Sequence, residues 1–348
     1  MATLSHSPVK VARVALAAAE AALPRYASRY SRHDGCTLPQ LAACLVLRAF
    51  WRTSLRGAQA QLEDSRDLQK ALRLARVPDH NALWRAHRAL SEHHLARLME
   101  ETVRLAQRAR MLPRGKRAKL SADSTGLTAS RTLQGASHQK PTRYWRARRQ
   151  RQRAGLRVAR AKKRPKKSWY HPKWTAAIDC QTHLLLAQHA CRGPMPDAQD
   201  FAPLVLEAHL LRPSTLVLAD RGFESEANLR LCEEWLGARA VMRIKRPRRG
   251  AHLHTPYRAA LLRHLPRKAY AQRNASESSF SAHKRRFGDL TPGRSWPARL
   301  RDVRLRGVLH NCALLMSASG SRQSHRRFCN AWLSPDASTG APDAMRVE

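Results

Sequence analysis

Acidic residues are scarce in this 348-residue chain: 25 Asp and Glu stand against 65 Lys and Arg, a formal net charge of +40. Between Asp123 and Asp179 there are none at all, positions 124–178 being free of carboxylates. Such an imbalance disfavours cationic partners and favours polyanions, DNA or RNA ahead of an anionic membrane surface. Paired cysteine motifs are missing too. The seven cysteines (Cys36, Cys44, Cys180, Cys191, Cys232, Cys312, Cys329) are odd in number and widely spread, with no C-x2-C pair. That excludes a disulfide framework and a zinc ribbon, and leaves reduced, mostly buried thiols as the expectation. Nor does any apolar run approach the roughly 18 to 20 residues that cross a bilayer. The Ala-rich stretch from Val11 to Leu23 is interrupted by Arg13 and Glu20, so it reads as an amphipathic helix and not as a secretory signal. No membrane partner and a cytoplasmic, nucleoid-associated location are therefore expected. What the chain does have is 43% hydrophobic residues, enough to bury a core and too many for basic disorder.

The pattern along the chain divides in two. Residues 1–112 read as a helical N-terminal domain, for DNA binding or dimerisation, with stretches at Val11 to Leu23, Leu38 to Thr53, Leu55 to Ala75, Asp79 to Leu90 and His94 to Leu112. Thr37 is the candidate cap of the second, with Pro39 in its first turn, and Asp79 the cap of the fourth. From Lys119 onward short apolar runs predict strands at Lys119 to Asp123, Trp174 to Asp179, Leu184 to Ala190, Thr215 to Asp220 and Ala238 to Ile244. Helical patterns lie between and after them at Asp200 to Leu211, Glu224 to Trp235, Arg267 to Phe287 and Ala298 to Met316. The expected fold is α/β with a mixed sheet over residues 113–316, preceded by an all-α domain and followed by a weakly ordered tail, 317–348.

A basic insertion, about 130–173, interrupts the second domain. Arg148, Arg149, Lys162, Lys163, Lys166 and Lys167 cluster there beside Tyr144, Trp145, Trp169 and Tyr170. Aromatic rings able to stack on bases suit a nucleic-acid contact, but composition alone leaves a solvated, self-repelling loop equally open.

Three carboxylates stand out by position. Asp123 ends the run Leu120-Ser121-Ala122-Asp123-Ser124-Thr125-Gly126, and Asp220 sits likewise in Leu218-Ala219-Asp220-Arg221-Gly222-Phe223. A carboxylate at the end of an apolar strand faces the crevice where α/β sheets place ligands, although a turn-forming or capping Asp accounts for either one alone. The third is Glu277. On a continuous helix Tyr270, Arg273, Glu277 and Lys284 would fall within about 60° of one another. An ordinary exposed face with an Arg–Glu pair explains that helix in isolation.

Together these pieces resemble a DDE transposase of bacterial insertion sequences, in the group marked by Y-x2-R-x3-E-x6-K, which Tyr270, Arg273, Glu277 and Lys284 match at all four positions. The turns at Asp123 and Asp220 resemble the contexts of that family's two aspartates. The likeness extends to Ser54-Leu55-Arg56-Gly57, Val77-Pro78-Asp79, Lys284-Arg285-Arg286-Phe287-Gly288 and the helix holding Asn311, over roughly residues 30–316. Phe223 departs from it, standing where the family often has Tyr, and the basic insertion is unusually rich in arginine.

The resemblance implies a ribonuclease-H-like catalytic domain in which Asp123, Asp220 and Glu277 are catalytic and hold two Mg²⁺ ions, Mn²⁺ substituting, about 4 Å apart. It implies DNA contacts at Tyr270, Arg273 and Lys284, and favours the DNA-contacting reading of the six basic insertion residues. The activity implied is cleavage at transposon ends followed by strand transfer, with terminal inverted repeats and target DNA as partners and a homodimer in the synaptic complex. The alternatives are a catalytically inactive DNA-binding descendant and a general RNA- or ribosome-binding protein; the latter leaves the three carboxylates unexplained.

Overall fold

Polar caps mark where the N-terminal helices begin. In the computed structural model, which describes residues 4–28, 35–112, 115, 117–129, 170–246 and 253–318, α1 (Pro8–Ala22) starts at Ser7 and α2 (Leu38–Trp51) at Thr37, in a reciprocal capping box with Gln40. The stretch expected to be one helix from Leu55 to Ala75 divides into α3 (Leu55–Glu63) and α4 (Arg66–Ala71), because Ser65 turns the chain and accepts the Leu68 N–H at 3.4 Å. α5 (His80–Ala89) opens at Asp79 as anticipated, with the Ala82 N–H bonded to its carboxylate at 2.6 Å, and α6 (Glu92–Arg108) opens at Ser91.

All five expected strands are present: β1 (Ala118–Gly126), β3 (His171–Asp179), β4 (Leu185–Gly193), β5 (Ser214–Ala219) and β6 (Arg239–Met242) form one mixed sheet in the order β4-β3-β1-β5-β6. β1 pairs antiparallel with β3 and parallel with β5. A two-residue pair not foreseen, β2 (Thr128–Ala129) with β7 (Leu290–Thr291), is too short to leave an alternating pattern. α7 (Asp197–Leu211) joins β4 to β5, and α8 (Glu226–Arg230) runs into a π-helical turn, Leu231–Trp235, before β6. α9 (Pro256–Arg263) buries none of its residues, so no apolar stripe announced it.

The expected single helix from Arg267 to Phe287 is corrected to α10 (Arg267–Ala271) and α11 (Asn274–Phe287). Between them Gln272, Arg273, Ala275 and Ser276 donate to the carbonyls three residues back at 3.0–3.1 Å, tightening the chain by a turn of 3₁₀ geometry. Last comes α12 (Trp296–Ala318), which packs on α1, α2 and α6 as well as on β4. One buried cluster therefore runs from Leu4 through Trp174 and Phe201 to Met316. Asn311 of α12 reaches the end of β4, accepting the Leu185 N–H at 3.0 Å and donating to the Leu185 carbonyl at 2.8 Å. It satisfies backbone groups at the sheet's edge that would otherwise be costly to bury. The described cysteines form no disulfide with one another, and Cys44, Cys232 and Cys312 are buried.

Two core histidines make this packing sensitive to pH. His283 of α11 lies 5.0 Å from the Trp174 ring and 5.1 Å from Phe287, and neither of its ring nitrogens has a hydrogen-bond partner among the described residues. His310 of α12 sits 5.7 Å from it and donates through Nε2 to the His183 carbonyl at 3.1 Å. Burial pushes His310 down to about 4 and His283 well below the ordinary histidine value. The unfolded chain then binds protons before the folded one, so stability is retained above about pH 6.5 and lost as pH falls from there toward about 4. Thermal unfolding between pH 7.5 and 5 is expected to show this decline, and a His310→Gln variant to flatten it, whatever its own stability at pH 7.5.

Candidate active site

The parallel pairing of β1 with β5 sets Ala122 opposite Ala219, so the next residues, Asp123 and Asp220, stand side by side. Asp220 lies just past the carboxyl end of β5, whereas β1, expected to end at Asp123, runs on to Gly126 because Ser124, Thr125 and Gly126 continue the pairing with β3. Asp220 is exposed. A 3₁₀ turn, Arg221–Phe223, follows it, yet its side chain makes no capping bond, so a capping role does not explain it. Asp123 is largely enclosed, with 17% of its side chain exposed. Its Oδ1 accepts the Ser124 N–H at 2.8 Å, and the Ser276 hydroxyl lies 3.2 Å from Oδ2. Burial pushes the Asp123 carboxyl up to about 6; the Ser124 N–H, Arg273 and Ser276 pull against that shift, and the charge of Asp220 adds to it.

α11 delivers the third carboxylate. Its buried face is lined by small residues, Ala275, Ser276 and Ser279, which let it approach β1 closely: the Ser276 and Ser121 hydroxyls meet at 2.9 Å. Glu277 falls in its first turn, where the helix dipole favours a negative charge, and points outward. Arg273, in the tightened turn, bridges the two carboxylates. Its Nη1 is 3.5 Å from Asp123 Oδ2, and its Nη2 pairs with Glu277 Oε1. The ring of Tyr270, largely buried, lies 5.7 Å from the Arg273 guanidinium and 5.2 Å from that of Arg243. Lys284 meets the Thr125 hydroxyl and the Gly126 carbonyl, the latter at 2.9 Å, and so is tied to the exit of β1. Arg273, Glu277 and Lys284 thus line the second half of β1, and Tyr270, packed with Leu216, Leu218 and Val241 of β5 and β6, adjoins them through Arg273, even though the helix carrying the four is not continuous. Arg148, Arg149, Lys162, Lys163, Lys166 and Lys167 lie outside the described residues, while Tyr170 stacks under Arg192 at 3.6 Å.

A fourth carboxylate was missed by sequence reasoning. Asp197, at the start of α7, accepts the Ser124 hydroxyl at 2.6 Å and pairs with the buried Lys173 Nζ at 2.8 Å. Its Oδ2 lies only 2.4 Å from where a Cβ on Gly222 would be, so it touches both the Asp123 turn and the Asp220 turn. In sequence it follows Gly193-Pro194-Met195-Pro196 and looks like any acidic residue opening a helix. Only the fold reveals its neighbours.

Among the described residues no three His, Cys, Asp or Glu side chains stand close enough together to hold a metal ion. The reason is visible: Glu277 is turned onto Arg273, whose guanidinium supplies the positive charge between the carboxylates. In kind the donors fit a hard divalent cation, which takes oxygen ligands, and enclosure of Asp123 leaves a charge-burial cost that a cation would offset.

A family model described as a transposase DDE domain matches residues 114–312, more than half of the chain. The chain belongs to that family. The match begins just before the strand that carries Asp123 and ends within α12, so it takes in the whole mixed sheet and all three carboxylates. The fold is accordingly α/β and ribonuclease-H-like, with a helical segment ahead of it. A transposase of this kind acts on DNA, and the family normally uses divalent metals. No curated protein is similar enough to the chain to count as a match. No helix among the described residues is long and apolar enough to cross a membrane.

Proposed function

We propose that this transposase cleaves DNA at the ends of its mobile element and joins the freed 3′-hydroxyls to target DNA, with Asp123, Asp220 and Glu277 as its catalytic centre. The observation that carries the reading is the register of β1 and β5, which sets Asp123 beside Asp220, while Arg273, just ahead of α11, links Glu277 of that helix to Asp123. Bound by these carboxylates, Mg²⁺ or Mn²⁺ supplies Lewis-acid activation of the attacking oxygen and stabilisation of the leaving one. Asp123 and Asp220 give the site rigid oxygen donors because Asp123 lies within the paired part of β1 and Asp220 directly follows β5, its parallel neighbour. Glu277 is the adjustable donor, exposed and at present engaged by Arg273.

Arg273 suits bidentate contact with a DNA phosphate once released from Glu277, with Tyr270 behind it, whereas Lys284 acts as a point charge beside Gly126. The basic insertion, with Arg148, Arg149, Lys162, Lys163, Lys166 and Lys167, extends the DNA contact. Residues 1–112 serve as the DNA-binding and dimerisation domain, and the active assembly is a homodimer on paired inverted repeats.

The protein, incubated with a duplex carrying the inverted repeat that flanks its gene, is expected to cut one strand at the repeat end in Mg²⁺ or Mn²⁺ and not in excess chelator. Cleavage that survives Asp220→Ala would sink the assignment. The Arg273 bridge favours one other reading, a DNA-binding descendant that no longer cuts, and binding without cleavage in either metal selects it. A finer test concerns Asp197. Gly222→Ala forces a methyl against its carboxylate and shifts the Asp220 turn, so cleavage is expected to fall on the order of 100-fold with DNA affinity unchanged. Gel-shift titration beside single-turnover cleavage separates the two.

A further inference from the structure

Of the N-terminal helices that have exposed positions, only α5 exposes no carboxylate. α1 exposes Glu20, α3 Glu63, α4 Asp67 and α6 Glu92. The outward residues of α5 are Asn81, Trp84, Arg85 and Arg88, and the inward ones Ala82, Leu83, Ala86 and His87. Offsets of 0, 3, 4 and 7 residues at about 100° each confine the outward four to an arc of about 100°. Asp79, the cap, is turned back onto the Ala82 N–H and does not join that face.

The chemistry of this ridge is that of base-edge recognition. An asparagine amide matches the paired donor and acceptor of adenine in the major groove, and an arginine fork matches those of guanine. Trp84 is 49% exposed, and the Arg88 guanidinium lies 4.7 Å from its ring centroid. The opposite side of the helix is fixed to the catalytic part of the molecule. His87 Nε2 meets Asp302 of α12 at 3.0 Å, and Arg301 donates through Nε to the Leu90 carbonyl at 2.9 Å. A ridge held from behind in this way presents its side chains in one orientation.

We infer that α5 is the helix that reads the DNA ends, entering the major groove with Asn81 and Arg85 on base edges and Trp84 and Arg88 alongside. The inference rests on the proposed action at specific ends. It goes further in naming one helix, and in assigning sequence discrimination to it and not to the basic insertion, whose phosphate contacts are sequence-independent.

The test compares the affinity of the full chain for a labelled duplex carrying the flanking inverted repeat with its affinity for a scrambled duplex of equal composition, by fluorescence anisotropy at fixed salt. Asn81→Ala and Arg85→Lys, the second keeping the charge and losing the fork, are each expected to reduce the preference by about 5- to 150-fold. Affinity for the scrambled duplex and the salt slope should barely move, and Arg66→Ala on α4 should change none of these. An undiminished preference in both variants, with melting curves matching the wild type, overturns the role of α5 while leaving action at the ends intact. Should the wild-type chain show no preference and cut neither duplex, the functional reading falls and α5 with it.

Discussion

Asp220→Ala is expected to lower strand cleavage by about 10³-fold or more, roughly 4 kcal/mol of transition-state stabilisation, while leaving thermal unfolding within about 0.5 kcal/mol of the wild type. The contrast follows from its setting. Asp220 is exposed and caps nothing, and it sits one residue beyond a strand whose partners are backbone groups. Its removal costs the fold almost nothing and takes away a charge at the place where phosphodiester chemistry would be done. Asp220→Asn should lose nearly as much activity, since the amide keeps shape and one acceptor but not the negative charge that a divalent cation needs. A single-turnover assay in Mg²⁺ beside a melting curve decides the matter. A large loss of stability would mean that the residue is structural after all.

The second large effect is one of stability. Asp302, buried in α12, is met at Oδ1 by Arg48 Nη1 and His87 Nε2, each at 3.0 Å, and at Oδ2 by the Gly293 N–H at 2.8 Å. Burial works to raise its pKa, but the His87 hydrogen bond and the Arg48 charge outweigh it and hold the carboxyl below the ordinary range. Removing one member of such a group strands the others, so Asp302→Ala is expected to cost about 3–5 kcal/mol, a fall in melting temperature on the order of 10 °C. Arg306 adds to the stranded charge: burial pushes its pKa down to about 10, and Asp302 is the first of the charges opposing that shift. Because the folded carboxyl is the stronger acid, its contribution is present above about pH 4 and disappears as pH falls through the folded pKa. Urea unfolding of Asp302→Ala and Asp302→Asn, compared through midpoints at constant slope, measures it.

Local signals carried the sheet and Asp220, because an apolar run that stops at Asp-Arg-Gly-Phe states both where the strand ends and which group it ends on. At Asp123 the apolar run stops but the strand does not, since Ser124, Thr125 and Gly126 go on pairing with β3. Thr37 and Asp79 were legible because a cap is a contact between neighbours in sequence. What could not be read was whatever depends on distant partners. Asp197 gains meaning only from Ser124 and Gly222, and Asp302 only from Arg48 and His87. The turn at Gln272 and Arg273 escaped notice because no proline or glycine marks it. It arises from the docking of Ser276 on Ser121, which pulls the start of α11 onto the sheet.

The placement of α12 governs the order in which the molecule can be completed during synthesis. Trp296–Ala318 is the last described element to leave the ribosome, yet α1, α2, α6 and β4 all pack on it. Until then α1, α2 and α6 can pack on one another, but the faces they turn toward α12 stay uncovered, a state open to chaperones and to self-association. A nascent chain would thus present α5 on a stable footing, with His87 seated on Asp302, only once α12 has been made.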